Sequence, residues 1–378
     1  MKKACDTALI ALFLTTIGLP LAGTIFGWNA AGRQAEKREL APFPALRADW
    51  NTLTAFPRGL DAYFQDNFGF RPLLVRWHSF LNMRMLGVAP STTVMNGSEG
   101  WLFYADDGAV EDYVSDKPFD AEELEYWRDT LQQTDNWLRS RGIDYVFAIA
   151  PDKHAVYPER MPRWIHKLGD SRTDQLIAYM RAHSTVTVLD LRAALVEAKQ
   201  RERVYSKTDT HWNPRGALVA YQAILRNAGI QPWPRSEFQP TSTLAPGLDL
   251  ADMVGLSDII KETVLGLKPL RPRAARIIEP ADADPAGEEA LLITEIPNAD
   301  LPRAVVFRDS FSSSLIPFIS EHFSRTVYLW QNDFDPEVVE KENPDLVIHE
   351  IAGRRLTNHV PYNPLQNAPS TATHLRQP

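Results

Sequence analysis

The chain has 378 residues, enough for one large hydrophobic core or two ordinary ones, and its 44% hydrophobic and 23% charged residues are the proportions of a globular protein. A formal net charge of −8 without any basic stripe excludes a nucleic-acid binder. Such a surface also repels an anionic polymer at long range, so a substrate of that kind requires a local basic cleft. Cys5 is the single cysteine, which excludes an intrachain disulfide and any multi-cysteine metal site.

The first predicted element is apolar. After Lys2, Lys3 and Asp6 no charge occurs from residue 7 to 32, and Ala8 to Trp28 is a run of 21 residues. That run is long enough to cross a hydrocarbon core of roughly 30 Å at about 1.5 Å per residue. A cleaved signal peptide has a shorter apolar region and a small-residue cleavage site, of which Asn29-Ala30-Ala31 is a poor version. Residues 1–28 therefore read as an uncleaved transmembrane signal-anchor with the long following domain exported. Lys2 and Lys3 face Arg33, Lys37 and Arg38 across the span, so charge alone does not orient it.

Residues 29–90 read as a stalk and a helical docking segment, with Pro42, Pro44 and Pro57 expected to prevent one continuous helix. From Gly59 to Leu86 apolar residues recur at helical spacing: Leu60, Tyr63 and Phe64, then Leu73, Leu74, Trp77, Phe80 and Leu81. The break at Asn67-Phe68-Gly69-Phe70-Arg71-Pro72 predicts two helices joined by a tight turn.

From residue 91 to 360 the pattern is α/β. Val94 to Tyr104 reads as a β-hairpin around Gly97 and Gly100. Asp120 to Arg141 is an amphipathic helix with Asp120 as cap and Leu124, Trp127, Leu131 and Leu138 as its buried stripe. Tyr145 to Ala150 is a continuous apolar run, as expected of a strand covered on both faces. Pro151-Asp152-Lys153-His154 follows at its carboxyl end, where open α/β sheets place their ligands. Helix, strand and helix then alternate over 174–183, 186–190 and 191–201. Residues 241–300, which include the Pro- and Asp-rich stretch 280–289, read as an insertion lying over one side of the sheet. Strands at Arg303–Arg308, Thr326–Trp330 and Leu346–Glu350 alternate with helices at Ser310–Phe323 and Pro336–Glu342, and 361–378 reads as a flexible tail. This alternation predicts a parallel sheet flanked by helices.

Two stretches carry chemistry. In Thr208-Asp209-Thr210-His211-Trp212-Asn213-Pro214, an acid and a histidine two residues apart precede a helix start with Asn213 as cap and Pro214 at its first position. A carboxylate beside an imidazole holds one ring nitrogen protonated and frees the other to take a proton. Arg308-Asp309-Ser310-Phe311 offers the nucleophile. Ser310 sits where an apolar strand passes into a helix, with the first backbone N–H groups of that helix as candidate oxyanion donors. The context is that of a nucleophile elbow, although the letters are not G-x-S-x-G. Ser312, Ser313 and Ser314 compete with Ser310, and Asp309 suits a local turn hydrogen bond. Trp212 is either a packing residue or an aromatic platform for a sugar ring. His154, His166, His183, His322 and His359 lack metal-ligand spacing, so neither a metal site nor a cofactor is expected.

These blocks resemble the periplasmic SGNH-hydrolase-like proteins that O-acetylate exopolysaccharides, the J- and X-type alginate O-acetyltransferase family. The specific matches are Asp-Thr-His-Trp at 209–212 and Arg-Asp-Ser-Phe at 308–311. Supporting ones are 61–71, Asn96–Phe103, Pro151-Asp152-Lys153 with Tyr157-Pro158-Glu159, and 343–354. The resemblance implies an SGNH-like fold and a catalytic set of Asp209, His211 and Ser310, with the acid–histidine pair ahead of the serine. Arg308, which stands where SGNH hydrolases carry glycine, either contacts the substrate, as a candidate together with Trp212 and Lys153, or simply marks the strand end. Glu350 and Arg354 resemble a late acidic–basic pair, expected as a salt bridge supporting the site. The implied activity is acetyl transfer to the hydroxyls of a secreted polysaccharide through a serine acyl-enzyme. The implied place is the periplasm, on an inner-membrane anchor, beside a membrane-bound O-acyltransferase that supplies acetyl groups. The same residues also suit an acetyl esterase, because transfer and hydrolysis differ only in what deacylates the serine. A non-catalytic polysaccharide-binding subunit of an acetylation complex is the third reading.

Overall fold

The computed structural model describes residues 2–25, 41–46, 49–83, 91–280 and 289–365. The end of the apolar run, most of the stalk, the stretch 281–288 and the tail from 366 onward lie outside the described residues. The chain divides into two compact units, Met1–Asn96 with Pro246–Ile260, and Gly97–Ala245 with Lys261–Pro378.

In the first unit, α1 (Lys2–Ile25) runs through the apolar segment and exposes Leu9, Ile10, Leu12, Phe13 and Leu14. Among the described residues no helix is long and apolar enough to cross a membrane. α2 (Trp50–Asn67) is capped by Asp49, whose carboxylate accepts from Thr52 N, and α3 (Arg71–Leu81) follows after one tight turn. Pro57 lies inside α2 instead of interrupting it. Pro57 and Leu53, the residue whose carbonyl loses its helical donor, are both exposed, so water can supply the missing bond. The turn at Gly69 packs against α1: Gly69 N donates to Thr24 Oγ1 at 2.9 Å, and Thr24 Oγ1 donates to Asn67 O at 3.1 Å. A Cβ at Gly69 would sit 2.1 Å from Pro20 O, so only glycine fits. The unit also holds β1 (Val94–Asn96).

The second unit carries the site. In chain order come β2 (Leu102–Tyr104), α4 (Ala109–Val114), α5 (Ala121–Arg139), β3 (Asp144–Ala150), α6 (Lys153–Val156), α7 (Arg172–His183), β4 (Val188–Asp190), α8 (Arg192–Ala198) and α9 (Pro214–Asn227). β5 (Phe238–Pro246) and β6 (Lys261–Pro269) are separated by α10 (Asp249–Met253), which belongs to the first unit. Then follow β7 (Arg276–Glu279), β8 (Leu291–Glu295), β9 (Arg303–Arg308), α11 (Ile316–Ile319), β10 (Arg325–Trp330), α12 (Pro336–Glu342), β11 (Leu346–Ala352) and α13 (Arg355–Asn358). α5 begins with a full capping box between Asp120 and Glu123.

The main sheet has the order β4-β3-β11-β9-β10-β8-β7. The first five strands are parallel, and β8 and β7 join antiparallel at one edge. All seven residues of β11 are buried, as befits a central strand covered on both faces. α5 and α7 place Trp127, Leu131, Leu176 and Met180 against Phe147, Ile149 and Ile351. A second cluster joins Leu138, Val305, Phe307, Val327, Val347 and Val339. Strands β3, β9 and β11 end together at one edge, which is where Asp152, Ser310 and Gly353 follow.

Two expectations are corrected. The region 241–300 does not simply cover the sheet: β5 and β6 form their own two-stranded sheet, while β7 and β8 extend the main one. Leu292 and Ile293 are apolar and Thr294 donates its hydroxyl to Ser320 Oγ at 2.9 Å, so all three are buried beside β10, whereas β7 is largely exposed, as an edge strand can be. The helix expected from Ser310 to Phe323 is broken into a 3₁₀ turn (Ser310–Ser314), α11 and a second 3₁₀ turn (Ser320–His322). Pro317 near the start of α11 cannot donate to a helix running through it, so the macrodipole behind Ser310 is that of a turn or two.

Candidate active site

The loop from Arg203 to Asn213 is held in shape before any of its side chains acts. Lys153, at the start of α6 and 2% exposed, donates from Nζ to Ser206 O, Lys207 O and Asp209 O at 3.1, 3.1 and 2.5 Å. Glu262 on β6 accepts from Thr208 N at 3.0 Å and Thr208 Oγ1 at 3.1 Å, and pairs with Arg203 at 2.9 Å. Tyr205 donates its hydroxyl to Pro151 O at 2.5 Å. Asn213 closes the loop: its N donates to Val204 O, and its Oδ1 caps α9 by accepting from Arg215 N and Gly216 N at 2.9 and 3.1 Å. A Cβ at Gly216 would lie 2.2 Å from Val204 O, so the close approach of helix and loop requires glycine.

On this loop, Asp209 Oδ1 accepts from His211 N at 2.9 Å and lies 3.0 Å from His211 Nδ1. On the other side of the ring, His211 Nε2 lies 2.8 Å from Ser310 Oγ. The acid, the imidazole and the hydroxyl thus form one hydrogen-bonded chain. Burial works to raise the Asp209 carboxyl, but the hydrogen bonds and charge of His211 outweigh it and hold Asp209 below its usual value. Asp209 and His211 keep about a quarter of their side-chain surface exposed (25% and 28%), so the pair opens to solvent.

Ser310 follows β9 at a turn built by Asp309. Asp309 Oδ1 accepts from Phe311 N at 2.9 Å, and Oδ2 accepts from Ala352 N at 2.8 Å, which ties the turn to the end of β11. This is the local role expected of Asp309. It also takes Phe311 N out of the set of oxyanion donors and leaves the Ser310 N–H, which meets no acceptor among the described residues. Phe311 stands edge-on to both His211 and Trp212, with ring centroids 4.9 and 5.0 Å away. It sets the imidazole against the serine by packing.

The three expected substrate contacts face inward. Lys153 spends its ammonium on backbone carbonyls, as above. Trp212, 3% exposed, donates Nε1 to Phe311 O at 3.0 Å and Ser314 Oγ at 2.7 Å, so it braces the serine turn and offers no face to a sugar. Arg308, with no exposed surface, donates to Ser313 Oγ at 2.9 Å and stacks over Trp330 at 4.4 Å. Glu350 and Arg354 are not an ion pair. Arg354 binds Asp152 through Nη1 at 2.6 Å and through its backbone N at 2.8 Å, and reaches Asp107. Glu350 accepts instead from Ser312 Oγ at 2.7 Å. Sequence reasoning missed the supports: Phe311, Glu262 and the clamp made by Lys153. The signal for Lys153 was a lysine directly after an apolar strand, where a buried ammonium needs acceptors.

Residues 94–330 match the profile of the SGNH hydrolase-like domain of the acetyltransferase AlgX. A probable alginate O-acetylase AlgJ of Pseudomonas syringae pv. tomato is 26% identical over 303 residues, spanning 77% of this chain and 70% of that protein. A probable alginate O-acetylase AlgJ of Azotobacter vinelandii is 24% identical over 320 residues, spanning 78% of each. Among solved structures, the O-acetyltransferase domain of Pseudomonas putida AlgJ is 20% identical, with a TM-score of 0.46 over 73% of this chain and 93% of that one.

Proposed function

The chain belongs to the family of SGNH hydrolase-like acetyltransferases of the AlgX type, and from that premise we propose that it transfers acetyl groups to hydroxyls of an alginate-like exopolysaccharide through an acyl-enzyme on Ser310. The observation that carries the residue roles is the continuous chain from Asp209 Oδ1 through His211 to Ser310 Oγ. In the first half-reaction Ser310 Oγ attacks the carbonyl carbon of an acetyl donor, and its proton passes to His211 Nε2. Asp209 steadies the imidazolium through Nδ1, and the Ser310 N–H faces the oxyanion. The tetrahedral intermediate expels the donor's leaving group, which takes the proton from His211. In the second half-reaction a sugar hydroxyl attacks the acetyl-serine as His211 removes its proton. Breaking the bond to Ser310 Oγ returns that proton to the serine and releases the acetylated sugar.

Residues 1–28 serve in this reading as an inner-membrane anchor that holds the enzyme in the periplasm. The uncharged run from residue 7 to 32 and the exposed leucines and phenylalanine of α1 support it. A periplasmic enzyme has no acetyl-CoA at hand, so a membrane-bound O-acyltransferase is its acetyl source.

The test is to incubate the full chain with p-nitrophenyl acetate and oligomannuronate, then look for acetylated sugar by mass spectrometry. Acetylated oligomer that disappears in Ser310→Ala supports the reading. Free acetate alone, at every acceptor concentration, refutes transfer and makes the protein an esterase.

A further inference from the structure

One carboxyl beside the nucleophile has no role in the steps above. Glu350, near the end of β11, has no exposed surface. Its Oε2 accepts from Ser312 Oγ at 2.7 Å and from Asp309 N at 3.4 Å, while Oε1 meets no partner among the described residues. The titratable groups that bear on it come from three segments. Asp309 on the serine turn is an acid with its oxygens committed to Phe311 N and Ala352 N. Arg308 at the end of β9 is directed to Ser313 and Trp330. Tyr205 on the triad loop donates to Pro151 O. The nearest cation along the chain, Arg354, is engaged by Asp152 instead. Among the described residues no cation forms an ion pair with Glu350. An ionised Glu350 would be a second negative charge beside Asp309, with one oxygen unsolvated, which is costly.

We propose that Glu350 is a positioning residue for Ser310: as the neutral acid it ties the serine turn to β11 through Ser312 and the Asp309 amide, and its ionisation releases that turn. The proposal rests on the reading of Ser310 as nucleophile. Ser312 and Asp309 flank Ser310 closely in the chain, so their fixed positions set where Oγ stands relative to His211 Nε2. Burial first, and the charge of Asp309 second, push Glu350 well above the ordinary carboxylate range, which favours the acid form. The sign follows directly. Raising the pH through this folded-state value removes the proton, adds charge against Asp309, and disorders the turn. Reactivity of Ser310 should therefore fall on the alkaline side.

The experiment follows phenylmethylsulfonyl fluoride labelling of Ser310 in the full chain across pH, by mass spectrometry. In that reaction Ser310 Oγ bonds to sulfur, fluoride leaves, and the serine proton goes to His211. It reports the nucleophile without polysaccharide or acetyl donor, so its outcome is separable from that of the transferase assay. Wild type should lose labelling rate as pH rises. Glu350→Gln should keep the neutral-pH rate within about threefold and lose the alkaline fall, whereas Glu350→Ala should be slower by about 100-fold, the effect of a small misplacement of a reacting group. Ser312→Ala removes the hydroxyl that favours the charged form and should move the fall to higher pH. The proposal is overturned if Glu350→Gln is as slow as Glu350→Ala or keeps the wild-type alkaline fall. It is equally overturned if Ser312→Ala leaves the fall in place or moves it to lower pH, and this variant decides alone should Glu350→Gln not fold.

Discussion

Replacing Lys153 by methionine tests whether the triad loop is held by a buried charge. The two side chains have similar length, so the change removes the ammonium while keeping most of the volume. Three hydrogen bonds disappear, to Ser206 O, Lys207 O and Asp209 O at 3.1, 3.1 and 2.5 Å. Bonds to a charged donor contribute about 1.5–3 kcal/mol each, which makes roughly 4–9 kcal/mol before compensation. Removing a buried ion recovers several kcal/mol of desolvation, so the expected net loss is about 2–4 kcal/mol. For a unit of this size that lowers Tm by about 5–10 °C. The activity effect should be larger than stability alone explains, because one released carbonyl belongs to Asp209 itself. Loosening that residue by an ångström is worth about 100-fold in rate. Urea unfolding and serine labelling by phenylmethylsulfonyl fluoride, both run well below the melting range, separate the two effects. A Lys153→Met protein as stable as wild type and labelled within twofold of its rate would refute the clamp.

Other expectations are as direct. Asp209→Asn should preserve folding and lower the transfer rate by about 10²–10⁴, measured as acetylated oligosaccharide per unit time, since the amide cannot stabilise the imidazolium. Trp212→Phe removes the one N–H that Phe311 O and Ser314 Oγ share and should cost about 1–3 kcal/mol in urea unfolding, while KM for the sugar acceptor stays unchanged because the indole is buried. Arg325 first, through its hydrogen bonds, and Arg303 with it hold Glu342 below its ordinary value against the opposing effect of burial. A depressed folded value means stabilisation above the unfolded value of about 4.3 that is lost as pH falls through the folded one. Glu342→Gln should therefore be less stable than wild type at pH 7 by about 1–3 kcal/mol, and the two should converge on acidification.

What could be read from the chain was whatever one segment decides for itself. Asp209 and His211 lie two residues apart on one loop, and Asn213-Pro214 announces the helix that follows, so local chemistry suffices there. The apolar runs of β3, β9 and β11 likewise declare buried strands. The direction of Lys153, Trp212 and Arg308 was not legible, because each is decided by partners far along the chain. A lysine after a strand looks the same whether its ammonium meets a sugar or three carbonyls of a loop more than fifty residues away. Region 241–300 failed for a related reason. β7 and β8 gain strand character from pairing at the sheet edge, and apolar content alone does not tell them apart: Leu292 and Ile293 of β8 are buried, while Ile277 and Ile278 of β7 are not.

The supports around the triad share a physical logic. Lys153 grips carbonyls, Glu262 grips Thr208, and Asp309 grips the amides of Phe311 and Ala352. Each is a buried ionisable group that holds backbone N–H or C=O groups, Glu262 adding the Thr208 hydroxyl and Arg203, and a buried charge tolerates misplacement poorly because water cannot replace a lost partner. Loop and serine turn are thereby held to the carboxyl edge of the sheet by interactions that do not depend on the reacting groups. Asp209, His211 and Ser310 are then free to stay partly solvent-exposed and to exchange protons without carrying the fold. That separation is why substitution of Ser310 should abolish chemistry at little cost in stability, while substitution of Lys153, which touches no substrate, should impair both.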